Sequence, residues 1–230
     1  MMQRSPHHAL GQRGFTLVEV AIVLIIVGLL LGGAVMTLTA QIEIRNRAET
    51  RETLERARDA LLGFAAANGR LPCPANGSSG GAENPSPPSS PNVCPNAFNG
   101  FVPALTLALT PVDKNGLLID AWREPIRYSV TNANASAFTT PDGIRTASLS
   151  MLTDPKLKIC AGLTCGGGTL TDEAVAVLIS SGKNLAIDGV ENSNNDRVFA
   201  QTAQTTTEDD VVIWISPYTL YNRMIAAGAL

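Results

Sequence analysis

The stretch Gly14-Phe15-Thr16-Leu17-Val18-Glu19-Val20 and the residues that follow it, GFTLVEVAIVLIIVGLLLGGAVMTLTAQI over 14–42, decides how the whole chain is read. Residues 20–42 are 23 consecutive positions without a charged side chain. At ~1.5 Å per residue they make a helix of roughly 34 Å, just above the ~30 Å of bilayer hydrocarbon. A secretory signal has a shorter apolar part, about 7 to 15 residues, ending at a small-residue cleavage site, for which Leu38-Thr39-Ala40 is a poor match. Arg4, His7, His8 and Arg13 precede the run with no acidic residue among them, so the positive-inside rule keeps the short N-terminus cytoplasmic and sends the rest across. Glu19 stands alone inside the apolar block, where a charge costs about 2.5 kcal/mol or more unless it is paired or near the interface.

The rest of the composition fits one anchored chain. The chain has 230 residues, 45% apolar and 16% charged side chains, and 17 basic against 20 acidic residues for a net charge of −3. This excludes a polytopic membrane protein and a strongly basic nucleic-acid binder. Gly and Pro are abundant, 20 and 14 residues, which indicates many turns.

The Gly14–Glu19 segment, with a short basic leader before it and about 20 apolar residues after it, resembles the processing site of type IV prepilins and type II secretion pseudopilins; the likeness covers residues 11 to 40. The resemblance implies that residues 1–14 are a leader, that a membrane aspartyl prepilin peptidase cuts after Gly14, and that the new amino group of Phe15 is methylated. It implies that the 15–42 helix stays on the mature chain, and that Glu19 neutralises the terminal amine of a neighbouring subunit and sets axial register. The plain alternative places Glu19 at the lipid headgroup level of a signal anchor. Gly28 and Gly32, with Gly33 beside them, form a small-xxx-small pattern suited to close helix packing, although glycine is common in membrane spans generally.

Past Ile42 the pattern changes to an amphipathic helix over 43–69, with Leu54, Ala57, Leu61 and Phe64 on one stripe and Glu/Arg pairs spaced i, i+4. Asn68-Gly69 and then Pro72 mark its end. Residues 70–230 read as an extracytoplasmic globular domain. Within it, 75–100 is a long surface loop, 19 of 26 positions being Gly, Pro, Ser or Asn. Strands are expected at 117–120, 125–131, 156–160, 174–181, 197–201 and 210–216, and a last helix at 218–227. The architecture is α+β: a long helix packed on an antiparallel sheet, pilin-like by resemblance.

Four cysteines permit three pairings, and sequence proximity favours Cys73 with Cys94 and Cys160 with Cys165. Export supplies the oxidising compartment such bonds need. Neither pair has C-x-x-C spacing and both histidines lie in the leader, which argues against zinc. Asp120-Ala121-Trp122-Arg123-Glu124-Pro125, with Tyr128, is similar to the D-P-W-G-x-P-x-x-Y segment of secretion pseudopilins, departing from it at Ala121 and Arg123; as residues alone they read as core aromatics beside a turn. Two acidic loops, one with Asp188, Glu191 and Asp196 and the other with Glu208, Asp209 and Asp210, have the oxygen-rich composition calcium takes. The likeness to calcium-binding pseudopilins makes Ca2+ the one candidate cofactor, against the reading of both loops as solvated surface.

No G-x-S-x-G, H-E-x-x-H or phosphate loop is present, so no catalysis is expected. The expected role is a structural subunit of a type IV pilus or secretion pseudopilus, the missing helix proline leaning towards a minor or secretion-type subunit. Implied partners are the prepilin peptidase/methyltransferase, other pilin or pseudopilin subunits and the inner-membrane assembly platform. Without Arg4 and Arg13 the chain has 15 basic against 20 acidic residues, or −5, and nucleic acid is not an expected partner. A single-pass anchored periplasmic binding domain that never polymerises is the alternative from another class.

Overall fold

A computed structural model describes residues 14–147, 156–203, 205 and 208–230, with the side chains of 31–38 and 147 also outside the described set. Residues 1–13, all but the last residue of the expected 1–14 leader, therefore lie outside it, and the surroundings of Gly32 are not described. The chain divides into two units, Met1–Ile44 and Arg45–Leu230.

One helix, α1 (Leu17–Asn68), runs through the unit boundary. No proline interrupts it, and Gly69 ends it with φ +65, its N–H reaching the Ala65 carbonyl. The last turn contains no basic residue of its own. Arg145 supplies one from another element: its guanidinium donates to the Ala66 and Ala67 carbonyls, which the helix leaves without partners, and to Ala229 O.

In the second unit the elements after α1 are β1 (Gly100–Phe101), α2 (Ala104–Leu107), β2 (Arg127–Val130), α3 (Ala133–Ser136) and α4 (Gly143–Ala147). Then come β3 (Leu157–Ala161), β4 (Thr169–Ala174), β5 (Ala176–Ser180), α5 (Gly189–Ser193), β6 (Val198–Gln201), β7 (Val211–Ile215) and α6 (Pro217–Ala226). The strands form an antiparallel sheet in the order β1-β2-β5-β7 and a second sheet in the order β4-β3-β6. The expected single antiparallel sheet is thus two, and β3 pairs with β6 in parallel. Parallel neighbours need a crossover, which periodicity along one strand does not announce.

Two cores explain the strand sequences. Leu54, Ala57, Leu61 and Ala65 of α1, Leu220 and Met224 of α6, and Leu178 of β5 share the larger core with Val211 and Ile215 of β7. Val177 and Ile179 of β5 and Val212 of β7 point to the other face, where Leu157, Ile159 and Phe199 of the second sheet meet them. A sheet covered on both faces needs apolar residues at consecutive positions, so Ala174–Ile179 reads as a continuous apolar run. The structure departs from the expected strand at 117–120. Asp113 Oδ1 accepts from the Asn115 and Leu117 amides and Asp120 Oδ1 from those of Trp122 and Glu124, so two turns leave room only for isolated bridges there. Ser216 Oγ accepts from Thr219 N and caps α6, with Pro217 as its first residue.

Cys73 is bonded to Cys94 and Cys160 to Cys165, with Cα–Cα separations of 5.4 and 4.9 Å. The loop at 75–100 is more ordered than its composition suggests. Arg70 Nη1 and Nη2 donate to Glu83 Oε2 and Oε1 at 2.7 and 2.6 Å, both side chains buried, and Glu83 Oε2 also accepts from Cys73 N. Asn92, fully buried, donates through Nδ2 to Thr139 O, while its carbonyl accepts from Thr139 Oγ1. Buried polar hubs hold the loop where apolar area is lacking.

Candidate functional site

The residues before α1 build a helix start from their own side chains. Glu19 N donates to Thr16 Oγ1 at 3.2 Å, while Thr16 N and Thr16 Oγ1 donate to Glu19 Oε2 at 3.2 and 3.3 Å. This is the reciprocal capping box that Thr-x-x-Glu before an apolar run specifies, Thr16 at the cap and Glu19 three positions on. Within this chain the Glu19 carboxylate thus finds partners in its own first turn, where the helix dipole also favours negative charge. The signal for the role of Thr16 is the four-residue spacing Thr-x-x-Glu itself, which reading Glu19 as a lone charge leaves out.

Around this start the helix surface is apolar and uncovered. Phe15 is 84% and Leu17 87% exposed, and Val18, Val20, Ile22 to Val27, Leu29 and Leu30 are exposed as well. A Cβ placed on Gly28 would meet nothing within 4 Å. An apolar face of this extent marks a lipid or protein contact. Among the described residues no helix is long and apolar enough to cross a membrane, and the side chains of 31–38, the middle of the apolar run, are not among them.

The two acidic loops meet in part. Asp188 Oδ2 accepts from the Asp209 and Asp210 amides at 2.7 and 3.4 Å, and Asp210 Oδ2 accepts from Asp188 N and Asn192 Nδ2 at 2.9 and 3.2 Å. Asp209 Oδ2 takes the Lys183 and Asn184 amides. Glu191, Asp196 and Glu208 stand apart from this knot in their bonding: Asp196 serves Asn194 and Val198, and Glu208 N donates to Thr205 Oγ1. Each carboxylate that meets the others gives one oxygen, Oδ2, to backbone amides, and among the described residues no group of three or more His, Cys, Asp or Glu could hold a metal ion.

The knot has a pH signature instead. Asp209 and Asp210 are 4% and 6% exposed, and Oδ1 of each is buried without a partner. Burial pushes the Asp210 carboxyl up from its ordinary 3.8 to about 7; the negative Asp188 and Asp209 raise it too, while its hydrogen bonds to Asp188 and Asn192 pull the other way. The folded state therefore holds this proton more tightly than the unfolded chain does. Its contribution to stability is fully present below about pH 4, is lost as pH rises towards 7, and is level above that. Urea unfolding at pH 5 and pH 8 should show this fall in the native chain and a flatter profile in Asp210→Asn; parallel profiles would refute the assignment.

The tryptophan turn is pinned from two sides. Ser180 Oγ donates to Asp120 Oδ2 at 2.6 Å, and Ala121 N donates to Thr50 Oγ1 on α1. Tyr128, fully buried, donates its hydroxyl to Pro72 O, and burial holds its pKa well above the usual phenol range. Arg123 has φ +73, the left-handed region that glycine tolerates, and it stands where the similar segment has a glycine. Its side chain is exposed. Arg123→Gly should therefore stabilise the fold by about 0.5–1 kcal/mol, relief of left-handed strain outweighing the added chain entropy. Urea midpoints test this, and a lower midpoint for the glycine variant would contradict it.

Comparison with protein families matches residues 10–35 to the prokaryotic N-terminal methylation motif. Comparison with curated proteins and with solved structures gives no match. The matched stretch contains Gly14, Phe15, Thr16 and Glu19 and the first half of the exposed apolar helix. The N-terminus of this chain is thus a prokaryotic N-terminal methylation motif, consistent with a type IV prepilin or pseudopilin.

Proposed function

We propose that the chain is a precursor cut after Gly14, methylated on the new Phe15 amine, and built into a filament of the type IV pilus or type II secretion pseudopilus class through its N-terminal helix. The observation that carries this is the methylation motif joined to an uncovered apolar helix. Before assembly the 15–42 segment lies in the inner membrane with the leader cytoplasmic and the disulfide-bonded domain periplasmic. After assembly the same apolar surface packs against other subunits, with Gly28 and Gly32 allowing close approach. The role is structural, with no catalytic step assigned. The absence of proline from the helix leans towards a minor or secretion-type subunit.

Glu19 changes partners in this account. In the single subunit its carboxylate is held by Thr16, and in the filament it takes up the Phe15 ammonium of a neighbour, a pairing that makes burial of both charges tolerable. Replacing Gly14 with a bulkier residue such as valine should block cleavage, leaving the full-length precursor in the membrane fraction. A Gly14→Val chain of mature mass would contradict the assignment of the cleavage site.

A further inference from the structure

Past the apolar stretch α1 carries Arg45, Arg47 and Arg51, interleaved with Glu43, Glu49 and Glu52. Arg51 and Glu55 are four residues apart, the spacing at which a helical ion pair forms. The structure gives Glu55 to Arg58 instead. Arg51 is exposed and makes neither a hydrogen bond nor an ion pair among the described residues. Glu49 stands two residues from it and Glu52 one, spacings at which side chains do not face each other on a helix. The local acids therefore leave this guanidinium without a counter-charge.

Two small grooves meet at the same side chain. One, of about 220 Å3, is lined by Arg47, Ala48, Arg51 and Val211. The other, of about 170 Å3, runs along the start of β7, where Arg51 and Val211 border it together with Gln201, Thr202 and Asp210. Asp210 is buried and gives Oδ2 to Asp188 N and Asn192 Nδ2, so it does not answer Arg51. Arg47 is already engaged within the chain, and the uncommitted charge of the first groove is that of Arg51. Beside it stand the apolar Ala48 and Val211.

The place of this groove along the helix says what it meets. Ile44, 69% exposed, is the last exposed large apolar residue of α1. Arg47 and Arg51 follow it by three and seven residues, or ~5 and ~10 Å of helical rise. The headgroup layer on one side of a bilayer is roughly 5–8 Å deep. Arginine stems lie along such a boundary and keep the charge at its polar level.

We propose that the groove at Arg51 binds the phosphate of an anionic phospholipid headgroup, in the leaflet on the domain's side of the membrane, and so seats the domain on the bilayer before assembly. The planar guanidinium donates paired hydrogen bonds to the phosphate oxygens, a geometry a solvated surface charge does not need. The proposal rests on the functional reading above for placing the helix in a membrane.

The test takes the full chain in bilayers of phosphatidylcholine holding a trace of spin-labelled phosphatidylcholine or spin-labelled phosphatidylglycerol. Electron paramagnetic resonance reads the share of each label immobilised at the protein. A basic residue at a membrane surface is worth about fivefold in affinity for anionic lipid. The native chain should therefore prefer the phosphatidylglycerol label, and Arg51→Gln should lower that preference about fivefold. Arg45→Gln should keep it, because Arg45 lies at the same level but lines neither groove. Equal immobilisation of the two labels by the native chain, or an equal loss in both variants, would overturn the proposal, the second result showing surface charge without a site. Arg51-dependent association of chains without a lipid preference would give the groove to a carboxylate of a second copy and overturns it as well. A chain that does not enter the bilayer contradicts the functional reading too, whereas an inserted chain without the preference contradicts this proposal alone.

Discussion

Glu83→Ala should destabilise the domain that follows the long helix by about 3–5 kcal/mol, the cost of leaving a buried guanidinium without its counter-charge. Arg70 and Glu83 are both buried and meet through two parallel hydrogen bonds. Glu83 further accepts from Cys73 N, and the Arg70 guanidinium lies 5.0 Å from the centre of the Phe64 ring on α1. Removing the carboxylate therefore orphans the arginine and the Cys73 amide at the point where helix, disulfide and loop join. Since a domain of this size has only about 5–15 kcal/mol of stability, the loss should be evident as a large drop in urea midpoint. An apolar pair, Arg70→Met with Glu83→Leu, should recover much of it, because the desolvation cost disappears with both charges. A change below about 1 kcal/mol for Glu83→Ala would show that the pair behaves as a surface ion pair.

Glu19→Ala and Glu19→Gln separate the two duties of that carboxylate. Glutamine keeps the capping box, since its side-chain oxygen can still accept from Thr16, but it has no charge for a neighbour's amine. If pairing matters, the unmatched ammonium costs about 2.5 kcal/mol or more in an apolar filament core, roughly 60-fold in assembly. Both variants should therefore insert in the membrane normally and appear in sheared filaments at a small fraction of the native amount. Native-level assembly of Glu19→Gln would reduce the residue to a helix cap.

The readable and unreadable parts of this chain divide on range. The helix from Leu17 to Asn68, its stop at Gly69 and the cap of α6 at Ser216 follow from spacings within a few residues, and they were legible. The apolar run at Ala174–Ile179 revealed a strand but not that it lies between two cores. The parallel pairing of β3 with β6 depends on residues about 40 positions apart, which no local pattern encodes. In the loop at 75–100, composition suggested too little apolar area to order the backbone, and that remains true. What was hidden is that Arg70, Glu83 and Asn92 supply buried polar contacts instead. At the candidate site the methylation motif was legible in the residues themselves, whereas the Thr16–Glu19 reciprocity rests on side-chain bonds that a reading of Glu19 as a lone charge does not contain.

The acidic residues show the opposite case. Six candidates in two loops read as one possible ligand set, but backbone amides take one oxygen each of Asp188, Asp209 and Asp210, while Asp209 Oδ1 and Asp210 Oδ1 are buried and unpartnered. Composition counts carboxylates, and only the fold shows what they have already accepted.

The measurement that bears most directly on the whole account is the mass of the N-terminal peptide of the chain isolated from its native membrane. Cleavage after Gly14 with one methyl group on the Phe15 amine is the predicted result. A chain that retains Met1, or one that begins beyond the apolar helix near Ala40, would contradict it.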